Sequence, residues 1–232
     1  MRYILLMFAV VVGQSVLSAD KKLIADPIVE KEIRRQLKKP EGELTKANLE
    51  KLKELNLDVS SADRFRAGAK IKESGLKEVT KLTQLESLRL RGNQLSDAGP
   101  LARLTRLKLL HLGNNRLTDV NPLAKLTRLK TLYLSFNQLT DADPLAKLTQ
   151  LEHLHLNGNQ ITDVDALVGL AQLKTLILSD NKLTNVSSLV NLKQLKYLHL
   201  GSNKKIDPNT LATLTQLTTL SLPSNRLTDV ST

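Results

Sequence analysis

The residues of this chain best suited to chemistry are four histidines, His111, His153, His155 and His199, and the tyrosines Tyr133 and Tyr197. Imidazole can ligate a metal, move a proton or hold a partner, and each use needs different company. His153 and His155 are two residues apart, which puts both on one face of a strand and makes a weak metal pair conceivable. No carboxylate is interleaved with them to complete a coordination set. The chain has no cysteine, which excludes disulfides, thiolate zinc sites, iron–sulfur clusters and cysteine nucleophiles together. Ser135 or Ser179 could neighbour a histidine, but no Asp completes a triad with them. Neither a glycine-rich phosphate loop nor a HExxH helix is present. The sequence therefore assigns no catalytic residue, metal or cofactor, and the chain reads as non-enzymatic.

What positions these side chains is a repeat. Asparagines fall at Asn93, Asn115, Asn137, Asn159, Asn181, Asn203 and Asn225, each 22 residues after the last. Leucines travel with them: Leu85, Leu88 and Leu90 before Asn93 recur as Leu107, Leu110 and Leu112 before Asn115. The alternation in Leu88-Arg89-Leu90 is that of a strand, leucines inward and arginine outward. A strand needs neighbours, and the next arrives one repeat later, so the strands stack in parallel. Each Asn sits at the following bend, where its amide can donate to and accept from turn backbone that would otherwise be buried unpaired. Opposite the strands, Asn121-Pro122 and Asp143-Pro144 predict short helices, with Asn or Asp as the cap and Pro at the first helical position.

This pattern resembles the 22-residue bacterial leucine-rich repeat of internalins and related exported proteins, over roughly residues 45–232. The resemblance implies an α/β leucine-rich repeat solenoid, a horseshoe with a parallel sheet on its concave face, short helices on its convex face and an N-terminal helical cap. It implies a binding scaffold rather than a particular partner. The chain lacks the capping cysteines, immunoglobulin-like domain and wall-sorting tail that would suggest a role in host-cell invasion.

Three segments follow. Residues 1–19 carry Arg2, an apolar run Tyr3–Val12 and a polar stretch ending in small residues, the marks of an export signal cleaved after Ser18 or Ala19. The apolar run is about half the roughly 20 residues that cross a bilayer, so no transmembrane anchor is read there. Residues 20–51 form the helical cap. Asp26-Pro27 opens a helix to about Lys39 with Ile28, Ile33 and Leu37 on one face, and Thr45 starts a second before a strand at Lys53–Leu57. Residues 52–232 are the repeat domain: one divergent repeat with a surface loop over 58–68, then about seven regular repeats from 82 onward. A local bulge is expected at Asn203–Ile206, and the sequence stops inside a repeat, with Pro223 blunting the last strand.

Function must live on outward strand positions that the framework does not dictate. All four histidines, together with Tyr133 and Tyr197, fall on that concave floor. The candidate partner-binding residues are Arg89, His111, Tyr133, His153, His155, Ile177, Tyr197 and His199. Histidines placed there predict pH-dependent binding between about pH 5 and 8. The formal charge of +11 is carried mostly off the floor, by Arg103, Lys125 and Lys147 on the helix side and by lysines and arginines approaching the strands. Asp97, Asp119, Asp141, Asp163 and Asp229 form an acidic column past the Asn bend. Nucleic acid would need basic residues interleaved with stacking aromatics, and only 3% of the chain is aromatic. The partner expected is another protein, an anionic glycan being a lesser candidate. The alternative role is a carbohydrate-binding or cell-envelope structural module. The expected location is secreted, periplasmic or cell-envelope.

Overall fold

The computed structural model describes residues 22–59, 70–203, 206, 208–212 and 214–225. The export segment, most of the loop expected over 58–68 and the centre of the bulge expected at Asn203–Ile206 lie outside the described residues. Helix α1 (Pro27–Gln36) is capped by Asp26, whose side chain accepts from the N–H groups of Ile28 and Val29 at 3.0 Å each, with Pro27 at the first helical position. It buries Val29 and Ile33, with Ile28 and Leu37 packed at the margin. The helix stops at Gln36, short of the expected Lys39, because Lys38 takes a left-handed φ of 51°. Helix α2 (Lys46–Glu50) begins in a capping box between Thr45 and Asn48.

Eight three-residue strands follow: β1 (Glu54–Asn56), β2 (Ser87–Arg89), β3 (Leu109–His111), β4 (Thr131–Tyr133), β5 (His153–His155), β6 (Thr175–Ile177), β7 (Tyr197–His199) and β8 (Thr219–Ser221). They form one parallel sheet in sequence order. Register is strict, with Leu55, Leu88, Leu110, Leu132, Leu154, Leu176, Leu198 and Leu220 in one row. All of these are buried except Leu220, which is 42% exposed in the last described strand. The sheet turns this row inward, and a single leucine core runs the length of the solenoid.

The asparagines close the strand ends. Asn137 Oδ1 accepts from Leu117 N–H one repeat back (3.0 Å). Its Nδ2 donates to Leu134 O of its own repeat (2.9 Å) and to Leu112 O of the one before (3.0 Å). Asn115, Asn159, Asn181 and Asn203 make the corresponding bonds, and the end members Asn93 and Asn225 accept instead from Ile71 N–H and Asn203 N–H, so the amides form a ladder that satisfies turn backbone.

Two features differ from the sequence reading. The divergent repeat carries a full helix, α3 (Glu73–Val79), which buries Leu76 and Val79 and lies against α1. Gly75 makes that approach possible, since a Cβ there would stand 2.5 Å from an Asp26 carboxylate oxygen. In the regular repeats the convex elements are 3-10 helices of four or five residues, such as Asn121–Lys125 and Asp143–Lys147, and in these two the capping residue is not the expected one. Asn121 and Asp143 lie inside the helices; the positions before them, Val120 and Ala142, are apolar and buried. The acceptor is the acidic column. Asp119 and Asp141 take the N–H of Asn121 and Asp143 at 2.7 Å each. Asp97, Asp163 and Asn185 do the same for Gly99, Asp165 and Ser187.

Candidate concave interface

Pairing places the outward side chains in rows across the sheet. One row runs Asn56, Arg89, His111, Tyr133, His155, Ile177, His199, Ser221. Six of the eight candidate residues are consecutive in it. The other two, His153 and Tyr197, stand in the parallel row that begins at Glu54 and Ser87. Beyond the strands the hydrogen-bond ladder continues, from Gly92 N–H to Gly113 O, Asn114 N–H to Ser135 O and Phe136 N–H to Asn157 O. A third row of small or polar residues is thereby held in register: Gly113, Ser135, Asn157, Ser179 and Gly201.

In the central row the rings touch. Tyr133 lies between His111 and His155, with ring centroids 4.9 and 4.6 Å apart and interplanar angles of 57° and 67°. Such tilted and edge-on contacts align ring edges with ring faces and hold the three side chains against one another. Burial lowers the pKa of His155 to about 4, with the charges of His153, His111 and His199 acting in the same direction. His155 is therefore neutral at pH 7 and does not titrate between pH 5 and 8, which corrects the expectation for that residue. His111 Nδ1 stands 3.6 Å from Asp58 Oδ2. Burial opposes ionisation of Asp58, but His111, the Arg91 N–H and Arg89 outweigh it and leave the carboxyl below its ordinary range.

The His153–His155 pair is already engaged. His153 Nδ1 lies 3.0 Å from Thr175 Oγ1, and His155 is edge-on to Tyr133. Among the described residues no three His, Cys, Asp or Glu side chains converge as metal ligands. The Ser135 hydroxyl donates to Asn157 Oδ1 at 2.6 Å rather than to a histidine.

Charge is sorted by position. On the floor, fixed charges occur at Glu54 and Asp58 by β1 and at Arg89 and Arg91 by β2; the outward positions of β3 to β8 carry none. Immediately before the strands runs a charged rail. Lys108 pairs with Glu86 at 2.6 Å, and Glu152 is gripped by Lys130 at 2.9 Å and Lys174 at 2.7 Å. Hydrogen bonds from Lys174 and Lys130 bring the Glu152 carboxyl down to about 2. These lysines tie neighbouring repeats together at the rim of the floor.

Reading the strands alone misses Phe136. It follows the third row, one position before Asn137, where Gly92, Asn114, Gly158, Asp180, Ser202 and Ser224 stand in other repeats. All seven have positive φ, and Phe136 has φ 56° with 52% of its surface exposed. The available signal was a single aromatic in a column of Gly, Asn, Asp and Ser.

Residues 83–125, 127–169 and 171–214 match the family model described as leucine-rich repeats (two copies). A comparison with curated proteins returned no match. The chain is similar to the crystal structure of an internalin C2 from Listeria monocytogenes, at 30% identity and a TM-score of 0.72, covering 86% of this chain and 94% of that one. An internalin, InlF, from the same species matches at 28% identity with a TM-score of 0.46, over 88% of this chain and 77% of the other. A plant peptide hormone receptor, RGFR1, solved in complex with RGF2, matches at 25% identity and a TM-score of 0.53, over 60% of this chain and 24% of the receptor. With more than half its residues matched by the family model and the repeat architecture in place, the chain belongs to the leucine-rich repeat family.

Proposed function

We propose that this chain is an exported, non-enzymatic scaffold that binds another protein through its concave face. One observation carries the reading: every histidine and tyrosine among the described residues stands on the sheet's outward face, three of them in ring contact along one row. Tyrosine anchors interfaces because it offers a large rigid contact area with a polar tip. The plant receptor, a peptide hormone receptor solved with RGF2, supports this as a use to which the fold is put. Nucleic acid fits poorly, because the floor of β3 to β8 offers no basic residue to a phosphate.

Export rests on the Arg2 and Tyr3–Val12 pattern. No helix among the described residues is long and apolar enough to cross a membrane. The test begins with a pull-down by the chain from Asp20 onward against secreted and envelope fractions. Calorimetry on the partner recovered should then show alanine at Tyr133, His155, Tyr197 or His199 each weakening binding by about 2 kcal/mol. Gln at Arg103, Lys125 and Lys147 on the convex side should change little beyond salt sensitivity. Full affinity in the floor variants with loss in the convex one would overturn the reading. Recovery of a glycan instead of a protein would establish the carbohydrate-binding alternative. Mass spectrometry finding Met1 retained on protein outside the cytoplasm would refute a removable signal.

A further inference from the structure

We propose that Phe136 is the apolar anchor of the concave site, and that the partner it receives is an extended protein segment bearing apolar side chains and no fixed charge. The proposal rests on the protein-binding reading above and narrows it.

Three independent features of the molecule converge on this residue. First, its backbone is costly for its side chain. The ladder bond from Phe136 N–H to Asn157 O (2.8 Å) holds the bend at φ 56°, a conformation that glycine and asparagine adopt readily and a bulky ring does not. Second, the ring gains little burial in return, remaining 52% exposed although the leucine core lies two residues away at Leu134 and three away at Leu139. A side chain that is neither favoured by its backbone nor buried by the fold needs another reason to be there. Third, the next repeat makes room for it. A Cβ on Gly158 would stand 2.5 Å from the Phe136 ring, so the glycine lets the ring lie across the neighbouring repeat in a set orientation. The anchor is thereby ordered before any partner arrives, which lowers the entropy cost of binding.

The surroundings define the partner. Next to the ring in sequence runs the uncharged row Gly113, Ser135, Asn157, Ser179 and Gly201, its two glycine positions covered by the His111 and Pro223 rings. No Asp, Glu, Lys or Arg occupies an outward position on β3 to β8. The one fixed charge in the Phe136 column is Asp180, two repeats on, so a charged group seated beside the ring on β3 to β5 would lose its hydration with no counter-charge at hand, whereas an uncharged apolar segment loses nothing comparable. A sugar fits less well. Stacking needs an open aromatic face, and beside Phe136 the Tyr133 ring is flanked by both histidines and the Ser135 hydroxyl is spent on Asn157 Oδ1; the open tyrosine, Tyr197, is 49% exposed but stands three strands away on β7. Phe136 offers a ring with no polar handle.

The test pans phage-displayed random dodecapeptides against the full chain at neutral pH and measures the selected peptides by calorimetry. Binding is compared in wild type, Phe136→Asn, Tyr133→Ala and the convex Arg103, Lys125, Lys147→Gln variant. The selected peptides should be apolar and without net charge, and should lose about ten-fold or more affinity for Phe136→Asn. The same variant should hold or raise its Tm, because Asn suits the bend as Asn114 does one repeat earlier. Peptides that keep their affinity for Phe136→Asn but lose it for Tyr133→Ala would overturn the anchor and leave the concave reading standing. Peptides insensitive to both and lost on the convex variant would overturn both. An absence of selected peptides, selection of charged ones, capture of neutral oligosaccharides in a parallel array, or a fall in Tm would each overturn the assignment of Phe136.

Discussion

At the scale of single residues, the floor and the ladder behave as different materials. Asn137 is 8% exposed and serves three backbone groups at once, so Asn137→Ala leaves a buried N–H and two carbonyls short of partners. The expected loss is about 1–3 kcal/mol in urea unfolding. His155 predicts a pH effect whose sign is fixed by its depressed pKa of about 4 against an ordinary 6.5. Between those values the unfolded chain binds a proton that the folded chain refuses, so stability falls as pH drops from 6.5 toward 4 and is complete above 6.5. His155→Gln should flatten that part of the stability profile; an unchanged slope would mean the imidazole is solvated in the folded protein. The asparagines and the floor histidines were legible in the sequence because both sit at fixed offsets in the repeat. The depression of His155 was not, since it arises from ring packing between strands. Phe136 escaped for a related reason: inward–outward alternation ends with the strand, and a left-handed bend one residue later has no alternation to read.

At the scale of elements, strands were easier to foresee than helices. A leucine every second residue, repeated at a constant interval, determines both the strand and its parallel neighbour. The convex segments carry a weaker signal, because Asn121-Pro122 fits either an Asn cap or an Asn already inside the first turn. The core decides between them. Val120 and Ala142 must be buried, which shifts the turn by one residue and hands the capping role to Asp119 and Asp141. Asp119→Ala should therefore cost about 0.5–2 kcal/mol, while Asp119→Asn, which keeps the acceptor, costs less, as chemical denaturation can measure. If Asn121→Ala is the damaging change instead, the cap has been placed wrongly. Helix α3 was not foreseen because the register slips between Leu57 and Ile71, so the 22-residue spacing does not carry across to the segment that follows. Its place is set by contacts far away in sequence: Glu78 accepts from Ala25 N–H at 2.8 Å and Lys81 donates to Leu23 O at 2.9 Å.

At the scale of the whole molecule, a stack of matched units should tolerate the loss of one, provided that both the core and the charged rail still match across the join. Two deletions of equal length separate these conditions. Removing residues 126–147 joins Lys125 to Leu148, so β3 meets β5 with Leu110 beside Leu154, and the asparagine spacing is preserved. On the rail, Lys108 then stands beside Glu152, giving the alternation Glu86, Lys108, Glu152, Lys174. Removing residues 148–169 preserves the core equally well but takes out Glu152 and leaves Lys108, Lys130, Lys174 and Lys196 as consecutive neighbours. Exposed pairs contribute little singly, but four adjacent like charges repel and that repulsion is screened by salt. The first deletion should fold with a Tm nearly independent of salt. The second should melt lower in dilute buffer and recover part of the difference as sodium chloride is raised toward 0.5 M, where the screening length is about 4 Å. Circular dichroism melts of both across that series are the measurement. Equal salt dependence would show that the rail is merely solvated and that leucine register alone joins one repeat to the next.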